Sequence, residues 1–396
     1  MARFIFISSN AAWGGSEELW SAAAAALAAD GHTVTAFKEG LDEQEPPIRR
    51  LRELACTLHD LKRLPVLPRR TSSVIRFLSL PVSYGLLLAR LRLGLARTPR
   101  PDLVVVSQGG NHDGLYLADL CRRMNLPYVL IMQKASDLYW PIDSRRERMR
   151  AIYGSALKCF FVSEHNRRLT EEQLGMALPH AAIVRNPFLV PWERRTDWPS
   201  QRDGLRLACI GRLYPKEKGQ DLLLRVLARD KWRNRPVSVT FYGSGDQRAG
   251  LEDMARHLGL TNAVTFGGFV RDVAAIWNEH HGLVLPSRCE GLPLVLVEAM
   301  LSGRVPIVTD VGGNGEVVDD GATGFLAAAP AEDSLDDAME RAWQRRDEWE
   351  AIGAAAATKI RTLVPPDPAE AMAAALLRVA KPAAMPVNAE ASTAHT

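Results

Sequence analysis

Short apolar runs alternate with longer amphipathic segments through the first half of the chain. Residues 3–8 form the first run, which is followed by a loop, a helical segment over about 16–30 and a second strand over 33–37. Ser16 is a good N-cap residue and Gly31 a good terminator, which predicts the ends of this helix. Further strand-like runs follow at 103–107, 128–132 and 159–162. Apolar strands separated by helices are typical of a parallel sheet, so residues 1–186 predict a doubly wound α/β domain.

The pattern breaks at residues 187–204, which hold three prolines and no apolar period and therefore predict a linker. It then restarts with strand-like runs at 206–210, 237–242, 264–266, 283–285 and 306–309. The rest of the chain predicts a second doubly wound domain (205–366), a last helix (367–380) and a disordered tail (381–396). Two such domains leave a cleft between the carboxyl edges of their sheets, where ligands of open α/β sheets bind.

Composition narrows the class of protein. A chain of 396 residues with 47% apolar and 24% charged residues fits two soluble globular domains. The five cysteines are scattered, which indicates reduced thiols rather than a disulfide framework or a zinc site. We expect neither a signal peptide nor a spanning helix, because the chain has no long uncharged apolar stretch. These features predict a cytoplasmic protein.

The strongest chemical signal is the segment 288–300, RCEGLPLVLVEAM, which follows a predicted strand and opens a helix. Pro293 suits the first helical position because its φ is preset and it has no N–H. The amides of Leu294 and Val295 would then lie at the helix N-terminus, where a phosphate binds well. The segment therefore predicts an anion site that faces the cleft.

Two glutamates flank this anion site, Glu290 before the helix and Glu298 within it. Their separation suggests that they face different parts of a ligand rather than one metal ion, and each carboxylate is able to hold hydroxyl groups. The alternative is that both are ordinary solvated glutamates, which is the common fate of this residue type.

The loop 211–219, GRLYPKEKG, follows the first strand of the second domain. Arg212 offers a planar fork and Lys218 a compact charge, and a diphosphate leaving group needs such compensation. The alternative is a basic surface loop, which the position at the carboxyl end of a strand disfavours. A glycine pair, Gly14 and Gly15, follows the first strand of the chain and lets the backbone approach a ligand, although a tight turn alone explains it equally well. The G-x-G-x-x-G fingerprint is absent here, which disfavours NAD.

At these places the sequence resembles the retaining glycosyltransferases of family 4, which have the GT-B fold of two Rossmann-like domains facing across a cleft. The resemblance is specific over about 205–326 and looser before residue 191. The matching pieces are Gly14-Gly15, 211–219, the YGSG of 242–245, Glu290 with Glu298, and 310–313 with 321–325.

The resemblance implies a role for each matching residue. Arg212 and Lys218 would bind the donor diphosphate, Glu290 the hydroxyls of the donor sugar and Glu298 the ribose, with the first three as catalytic residues. Gly15 would touch the distal phosphate. The other implied donor-binding residues, several of them through backbone amides, are Gly14, Gly243, Gly291, Leu292, Leu294 and Val295.

The acceptor side departs from the family pattern. Many members carry a histidine just after the fourth strand, whereas here Ser107 or Gln108 takes that place and His112 comes later. A loop histidine without catalytic duty explains His112 equally well. The candidates for sugar or acceptor contacts are Gln108, Asn111, His112 and Gln133.

The family implies a transfer with retention, in which the leaving diphosphate helps to deprotonate a hydroxyl acceptor. The chain contains no D-x-D pair, so we expect no required metal and no cofactor besides the nucleoside-diphosphate sugar. The alternatives are an epimerase or phosphorylase of the same fold, or a non-catalytic protein that binds nucleotide sugars. A dehydrogenase is disfavoured by the missing fingerprint.

Residues 49–100 are rich in Arg and Lys, with only Glu53 and Asp60 opposing them, and apolar residues are interleaved. Such a stretch suits an anionic membrane surface. The hypothesis is an enzyme that docks on the inner membrane face, with a lipid-linked or polysaccharide-precursor acceptor. A pair of solvated basic helices is the alternative. Nucleic acid is not expected as a partner, since the stretch has few aromatic residues.

Overall fold

The computed structural model describes residues 1–11, 13–63, 82–193, 196–202 and 204–380. Within these ranges the chain forms two parallel sheets, each covered by helices on both faces. The predicted tail and residues 64–81 of the basic stretch lie outside the described residues. No helix in the described part combines the length and apolar character that a membrane crossing requires.

The first sheet has seven parallel strands in the order β3-β2-β1-β4-β5-β6-β7. The chain order changes direction between β1 and β4, and ligands of such sheets bind at the carboxyl ends beside that point. The strands are β1 (Arg3–Ser8), β2 (Thr33–Lys38), β3 (Thr57–Asp60), β4 (Leu103–Gln108), β5 (Tyr128–Met132), β6 (Lys158–Phe161) and β7 (Ala181–Ile183).

Six helices and one 3-10 turn accompany this sheet in the described residues. They are α1 (Gly15–Ala29), α2 (Pro46–Glu53), α3 (Val82–Arg97), α4 (Leu115–Arg123), the turn Asp137–Tyr139, α5 (Asp143–Ser155) and α6 (Glu164–Leu174). The predicted start of α1 is wrong by one residue. Gly14 occupies the N-cap position, and the hydroxyl of Ser16 instead accepts a 2.9 Å hydrogen bond from Nδ2 of Asn10.

The second sheet has six parallel strands in the order β10-β9-β8-β11-β12-β13. The strands are β8 (Leu205–Ile210), β9 (Val237–Tyr242), β10 (Val264–Gly268), β11 (Gly282–Leu285), β12 (Val305–Thr309) and β13 (Phe325–Ala327). The helices and one 3-10 turn are α7 (Pro215–Lys218), α8 (Gln220–Leu227), α9 (Asp230–Arg233), α10 (Arg248–His257), α11 (Val273–Glu279), α12 (Leu294–Leu301), α13 (Asn314–Val317), α14 (Glu332–Gln344), the turn Arg346–Glu348, α15 (Trp349–Leu363) and α16 (Pro368–Ala380).

The central strands of both sheets explain the apolar runs of the sequence. Every residue of β4, β5, β11 and β12 is buried, because helices cover both faces of each sheet. The predicted fold class, two doubly wound α/β domains, is confirmed.

Two segments tie the domains together. The stretch 187–204 forms no helix or strand in its described residues, and Val190 is buried in an apolar cluster with residues of the second domain. The guanidinium of Arg361 on α15 donates to the carbonyl of Trp192 in this stretch. The last helix, α16, returns to the first domain, where Met372 and Leu376 are buried in its core. The chain therefore crosses between the domains twice.

Candidate active site

The loops after β8 and β11 meet at the carboxyl edge of the second sheet. Nζ of Lys218 lies 2.6 Å from Oε1 of Glu290, and the hydroxyl of Ser287 donates to the same oxygen at 2.7 Å. The side chain of Glu290 is almost fully buried and that of Lys218 is about one-quarter exposed. The structure therefore joins two of the predicted catalytic residues in one ion pair.

Local packing fixes the two loops against each other. Gly219 has a φ of +64°, and a Cβ there would lie 1.8 Å from the carbonyl oxygen of Pro286. Arg288 closes the other side of the loop, since its guanidinium holds both carboxylate oxygens of Asp221 at 2.7 and 2.9 Å. It also donates to the carbonyl of Pro215. Lys218 and Glu290 thus lie on two loops that are packed and hydrogen-bonded together as one unit.

Arg212 lies at the open side of this unit. Its side chain is 64% exposed, and Nη2 makes a long 3.5 Å contact with Oε2 of Glu217. Gly243 packs directly against the loop that carries Arg212. It has a φ of +133°, and a Cβ there would lie 2.0 Å from the carbonyl oxygen of Gly211. In this position Gly243 allows two loops to pack, and Arg212 projects where an anion is able to meet it.

Helix α12 begins at Leu294, so the prediction that Pro293 is the first helical residue is wrong by one position. Pro293 is the N-cap residue, and the carbonyl of Pro293 accepts from the amide of Leu296 at 3.1 Å. The amides of Leu294 and Val295 precede that first internal bond, as the first amides of any helix do. Leu292 is buried in the core beneath them.

The first domain forms the opposite wall and approaches closely. A Cβ on Gly15 would lie 2.6 Å from Cδ1 of Leu294, whereas one on Gly14 would meet nothing within 4 Å. A Cβ on Gly291 would lie 1.9 Å from the carbonyl oxygen of Gln133, at the end of β5. Gly15 and Gly291 therefore stand where the two walls touch.

Glu298 lies apart from the Lys218–Glu290 pair, beside the inter-domain stretch. It is buried, and its Oε1 accepts a 2.9 Å hydrogen bond from the amide of Leu189. Burial raises the pKa of Glu298 to about 7, although this hydrogen bond lowers it. The two glutamates of the motif thus occupy different environments, as their spacing predicts.

Two acceptor-side candidates are buried within the first domain, although Oε1 of Gln108 has no hydrogen-bond partner among the described residues. Gln108 is buried at the end of β4, and its Nε2 donates to the carbonyl of Asp113. The amide nitrogen of Asn111 donates to Thr170 at 3.0 Å and to Gln173 at 2.7 Å, both on α6. Asn111 therefore supports the loop after β4 rather than facing the cleft.

The other two candidates lie at the cleft. The half-exposed ring of His112 has its centroid 5.7 Å from that of Tyr139, whose hydroxyl reaches Glu217 of the second domain at 3.1 Å. Gln133 accepts a 2.7 Å bond from Asn186, while its buried Nε2 has no hydrogen-bond partner among the residues that the structure describes. His112 is therefore accessible from the cleft, whereas Gln133 is buried beside the contact between the two walls.

Sequence reasoning gave no role to three residues that meet between the walls, namely Lys134, Tyr139 and Glu217. Oε1 of Glu217 lies 2.9 Å from Nζ of Lys134. The sequence offers one signal for Lys134, which lies two residues after the strand that ends at Met132. No group of three or more His, Cys, Asp or Glu side chains in the described ranges is placed to hold a metal ion.

For the sugar transfer that the resemblance implies, we predict that Gly291→Ala lowers turnover by about a hundredfold, because the methyl group pushes the two walls apart and misplaces the groups at the site. The backbone of residue 291 does not need a glycine φ, but the overlap with the carbonyl of Gln133 should lower the free energy of unfolding by about 1–3 kcal/mol, so turnover is compared at a temperature where the variant remains folded. Gly250→Ala on α10, where a Cβ meets nothing within 4 Å, is the matched control. Turnover of Gly291→Ala at the wild-type rate would contradict the close contact.

We also predict that Glu298→Gln stabilises the protein more at pH 8 than at pH 5. Because burial raises the pKa of Glu298 from 4.5 to about 7, the folded protein binds a proton between these values that the unfolded chain has lost. The wild-type stability therefore falls as the pH rises through this window, and the full penalty is present above about pH 7. The advantage of the variant should grow by on the order of 2 kcal/mol between pH 5 and pH 8 in urea unfolding.

Glu340→Gln is the control for this pH series. Hydrogen bonding to Arg235 and Lys231 lowers the pKa of Glu340 to about 2, so its contribution is nearly complete at both pH values. The effect of this substitution should hardly differ between them. A pH-independent effect of Glu298→Gln would show that burial does not raise the pKa of this carboxyl group.

Two family models match the chain. The model described as glycosyl transferases group 1 matches residues 204–345, and that of a glycosyl transferase 4-like domain matches residues 14–187. Together they cover most of both domains, including the loops that carry Arg212, Lys218 and Glu290.

Curated relatives match over parts of their length. A GDP-mannose-dependent alpha-(1-6)-phosphatidylinositol monomannoside mannosyltransferase of Mycolicibacterium smegmatis is 28% identical, over 56% of this chain and 63% of that protein. An alpha-D-kanosaminyltransferase of Streptomyces kanamyceticus is 31% identical, over 33% of this chain and 34% of that protein. The chain thus matches less than two thirds of the length of either relative.

Solved structures share the fold across nearly the whole chain. HepE of Anabaena in complex with UDP has a TM-score of 0.73 at 18% identity, covering 95% of this chain and 99% of that one. Sucrose-phosphate synthase of Thermosynechococcus elongatus has a TM-score of 0.71 at 18% identity, covering 96% and 98%. With both family models and the fold in agreement, the chain belongs to the family 4 type of glycosyltransferases, which have the GT-B fold.

Proposed function

We propose that the protein transfers a sugar from a nucleoside-diphosphate sugar to a hydroxyl acceptor, with retention at the anomeric carbon. The observation that carries this proposal is the Lys218–Glu290 pair at 2.6 Å beside the N-terminus of α12. A cation, a hydroxyl-binding carboxylate and helix amides stand together at one sheet edge, which is what a sugar diphosphate requires.

The donor diphosphate would lie between Arg212, Lys218 and the amides of Leu294 and Val295. The exposed guanidinium of Arg212 is able to turn toward it, and Lys218 would exchange part of its contact with Glu290 for a phosphate oxygen. Glu290 then accepts hydrogen bonds from hydroxyls of the donor sugar. These groups stabilise the charge that develops on the leaving diphosphate.

The contacts of the two glutamates support retention without a covalent intermediate on the enzyme. Glu290 is held by Lys218 and Ser287, and Glu298 is buried beside Leu189. Neither is placed as an unencumbered nucleophile, so the acceptor hydroxyl would attack from the side of the leaving diphosphate, which takes its proton. Positioning supplies much of the rate in such a reaction. We propose that no metal ion is required.

The acceptor would enter from the first domain, past His112 and Tyr139. HepE was solved with UDP, and the Mycolicibacterium relative is named as acting on a phosphatidylinositol monomannoside. We extend this to a lipid-linked or polysaccharide-precursor acceptor and to a cytoplasmic protein that docks on the inner membrane face. The named relatives are transferases, which favours transfer over the epimerase and binding-protein alternatives.

The donor is tested by thermal unfolding with UDP, GDP, ADP and NAD. One nucleoside diphosphate should stabilise the protein by about 3 kcal/mol at a hundredfold excess over Kd, and NAD should not. A panel of nucleotide sugars, followed for hydrolysis in the presence of EDTA, then identifies the sugar. Arg212→Ala and Lys218→Ala should lose most turnover while remaining folded by circular dichroism.

Wild-type turnover in either variant would contradict the site, and loss of activity in EDTA would contradict the metal-free reaction. Once an acceptor is found, the anomeric proton of the product in NMR tests retention. An inverted product would exclude the proposed geometry.

Membrane docking is tested separately by co-sedimentation with vesicles. The protein should bind vesicles that contain phosphatidylglycerol, should not bind those of phosphatidylcholine alone, and should be released as ionic strength rises. The physical reason is the excess of basic residues over 49–100. A failure to bind anionic vesicles at low salt would exclude docking through this stretch.

A further inference from the structure

Glu217 joins the two domains at the donor loop. It lies on α7, and its carboxylate is buried except for 8% of the side chain. Oε1 accepts from Nζ of Lys134 at 2.9 Å and from the hydroxyl of Tyr139 at 3.1 Å. Both partners belong to the loop after β5 of the first domain, so one carboxylate oxygen holds the opposite wall.

The rest of the same residue faces the donor site. Its other oxygen, Oε2, lies 3.5 Å from Nη2 of Arg212. Its backbone carbonyl accepts from the amides of Arg288 at 2.7 Å and Cys289 at 3.2 Å, immediately before Glu290. Glu217 thus contacts Arg212, the segment that leads into Glu290, and the first domain at once.

The charges at this junction are compatible with a lasting ion pair. Burial raises the pKa of the Glu217 carboxyl, but Lys134 and the Tyr139 hydroxyl outweigh it and the pKa is lowered. Burial likewise lowers the pKa of Lys134, but the neighbouring Cys289, Glu217 and Glu290 have the larger effect. The pKa of Lys134 is therefore raised above its usual value. Both groups stay charged in the cleft, where removal of one partner leaves the other unpaired.

The strengths of these contacts differ in a useful way. Lys134 is held at 2.9 Å, while Arg212 is 64% exposed and only loosely held at 3.5 Å. A diphosphate carries more charge than one carboxylate and is therefore able to draw Arg212 away from Glu217. Lys134 and Tyr139 remain, and they keep the first domain against the loop from which Arg212 projects.

We propose that Glu217 is a positioning residue, which keeps the cleft closed through Lys134 and Tyr139 and thereby aims Arg212 at the donor diphosphate. The proposal rests on the proposed function of this site. Glu217 acts through its neighbours and does not touch the reacting atoms. Its loss should therefore weaken both nucleotide binding and turnover through a change in domain closure.

The variants follow from the contacts. Glu217→Gln keeps the shape and removes the charge, Lys134→Met keeps the length and removes the cation, and Tyr139→Phe removes one hydrogen bond. Glu340→Gln is the matched control, since Glu340 also pairs with a Lys and an Arg but lies on α14, near Arg235 at the amino end of β9. It should lower stability without changing nucleotide affinity or turnover.

The first measurement needs no donor. In Glu217→Gln and in Lys134→Met, backbone hydrogen exchange of the free protein should rise over residues 133–140 and 212–219, because the walls separate more often. Glu340→Gln should leave these segments unchanged. Exchange equal to the wild type in Glu217→Gln would overturn the proposal, whatever the donor is. The hydrogen-exchange measurement does not depend on the proposed function.

The second measurement uses the nucleoside diphosphate and the nucleotide sugar that the wild-type protein accepts. Each of Glu217→Gln and Lys134→Met should weaken nucleotide affinity about tenfold and lower kcat, and the double variant should lose no more than the worse single variant. Losses that multiply would mean that the two residues act independently and would overturn the inference. A drop in melting temperature with unchanged kcat and KM would reduce Glu217 to a structural role and overturn it as well.

Discussion

Contact between the carboxyl edges of the two sheets is the constraint on which the site depends. The backbone of Gly291 approaches the carbonyl of Gln133 so closely that a Cβ would lie 1.9 Å away, and a Cβ on Gly15 would lie 2.6 Å from Cδ1 of the Leu294 side chain. Packed walls do not yield easily, so a side chain added at Gly291 must displace the backbone of one wall. This closeness places residues such as Lys134 within hydrogen-bond distance of the second domain.

The charges of the cleft are largely neutralised within it. Lys218 pairs with Glu290 and Lys134 with Glu217, all four with limited exposure, while Arg212 remains open to solvent. Buried ions are costly unless they are paired, which explains why the cations are matched by carboxylates. In the function that we propose, a sugar diphosphate exchanges partners with these pairs, and its binding is thereby coupled to the position of the first domain.

The chain also connects the two domains covalently at two places. The stretch after β7 packs on the second domain and donates the amide of Leu189 to Glu298, whereas α16 returns to pack against α1 of the first domain. Both connections therefore run between the domains and lie where any movement between them takes place. Glu298 lies at the first of these connections, because its carboxylate is buried where the stretch after β7 meets α12.

The sequence by itself determined the strand–loop–helix units and the residues at their carboxyl ends. Apolar runs buried on both faces mark the central strands, and in a parallel sheet their ends meet at one edge, which brings Arg212, Lys218 and Glu290 together. The short edge strands β3, β7 and β13 are not predicted, since β3 (TLHD) is mostly polar and β7 (AAI) and β13 (FLA) have only three residues each, too few for a recognisable apolar run.

Tertiary structure alone decided which side chains face the ligand. Asn111 is occupied by α6, and the pairing of Lys134 with Glu217 spans 83 residues and two domains. Such contacts depend on how the domains are oriented, and no local periodicity encodes that orientation. The sequence therefore specified the chemistry of each wall, while the distances between the walls were set by packing across the cleft.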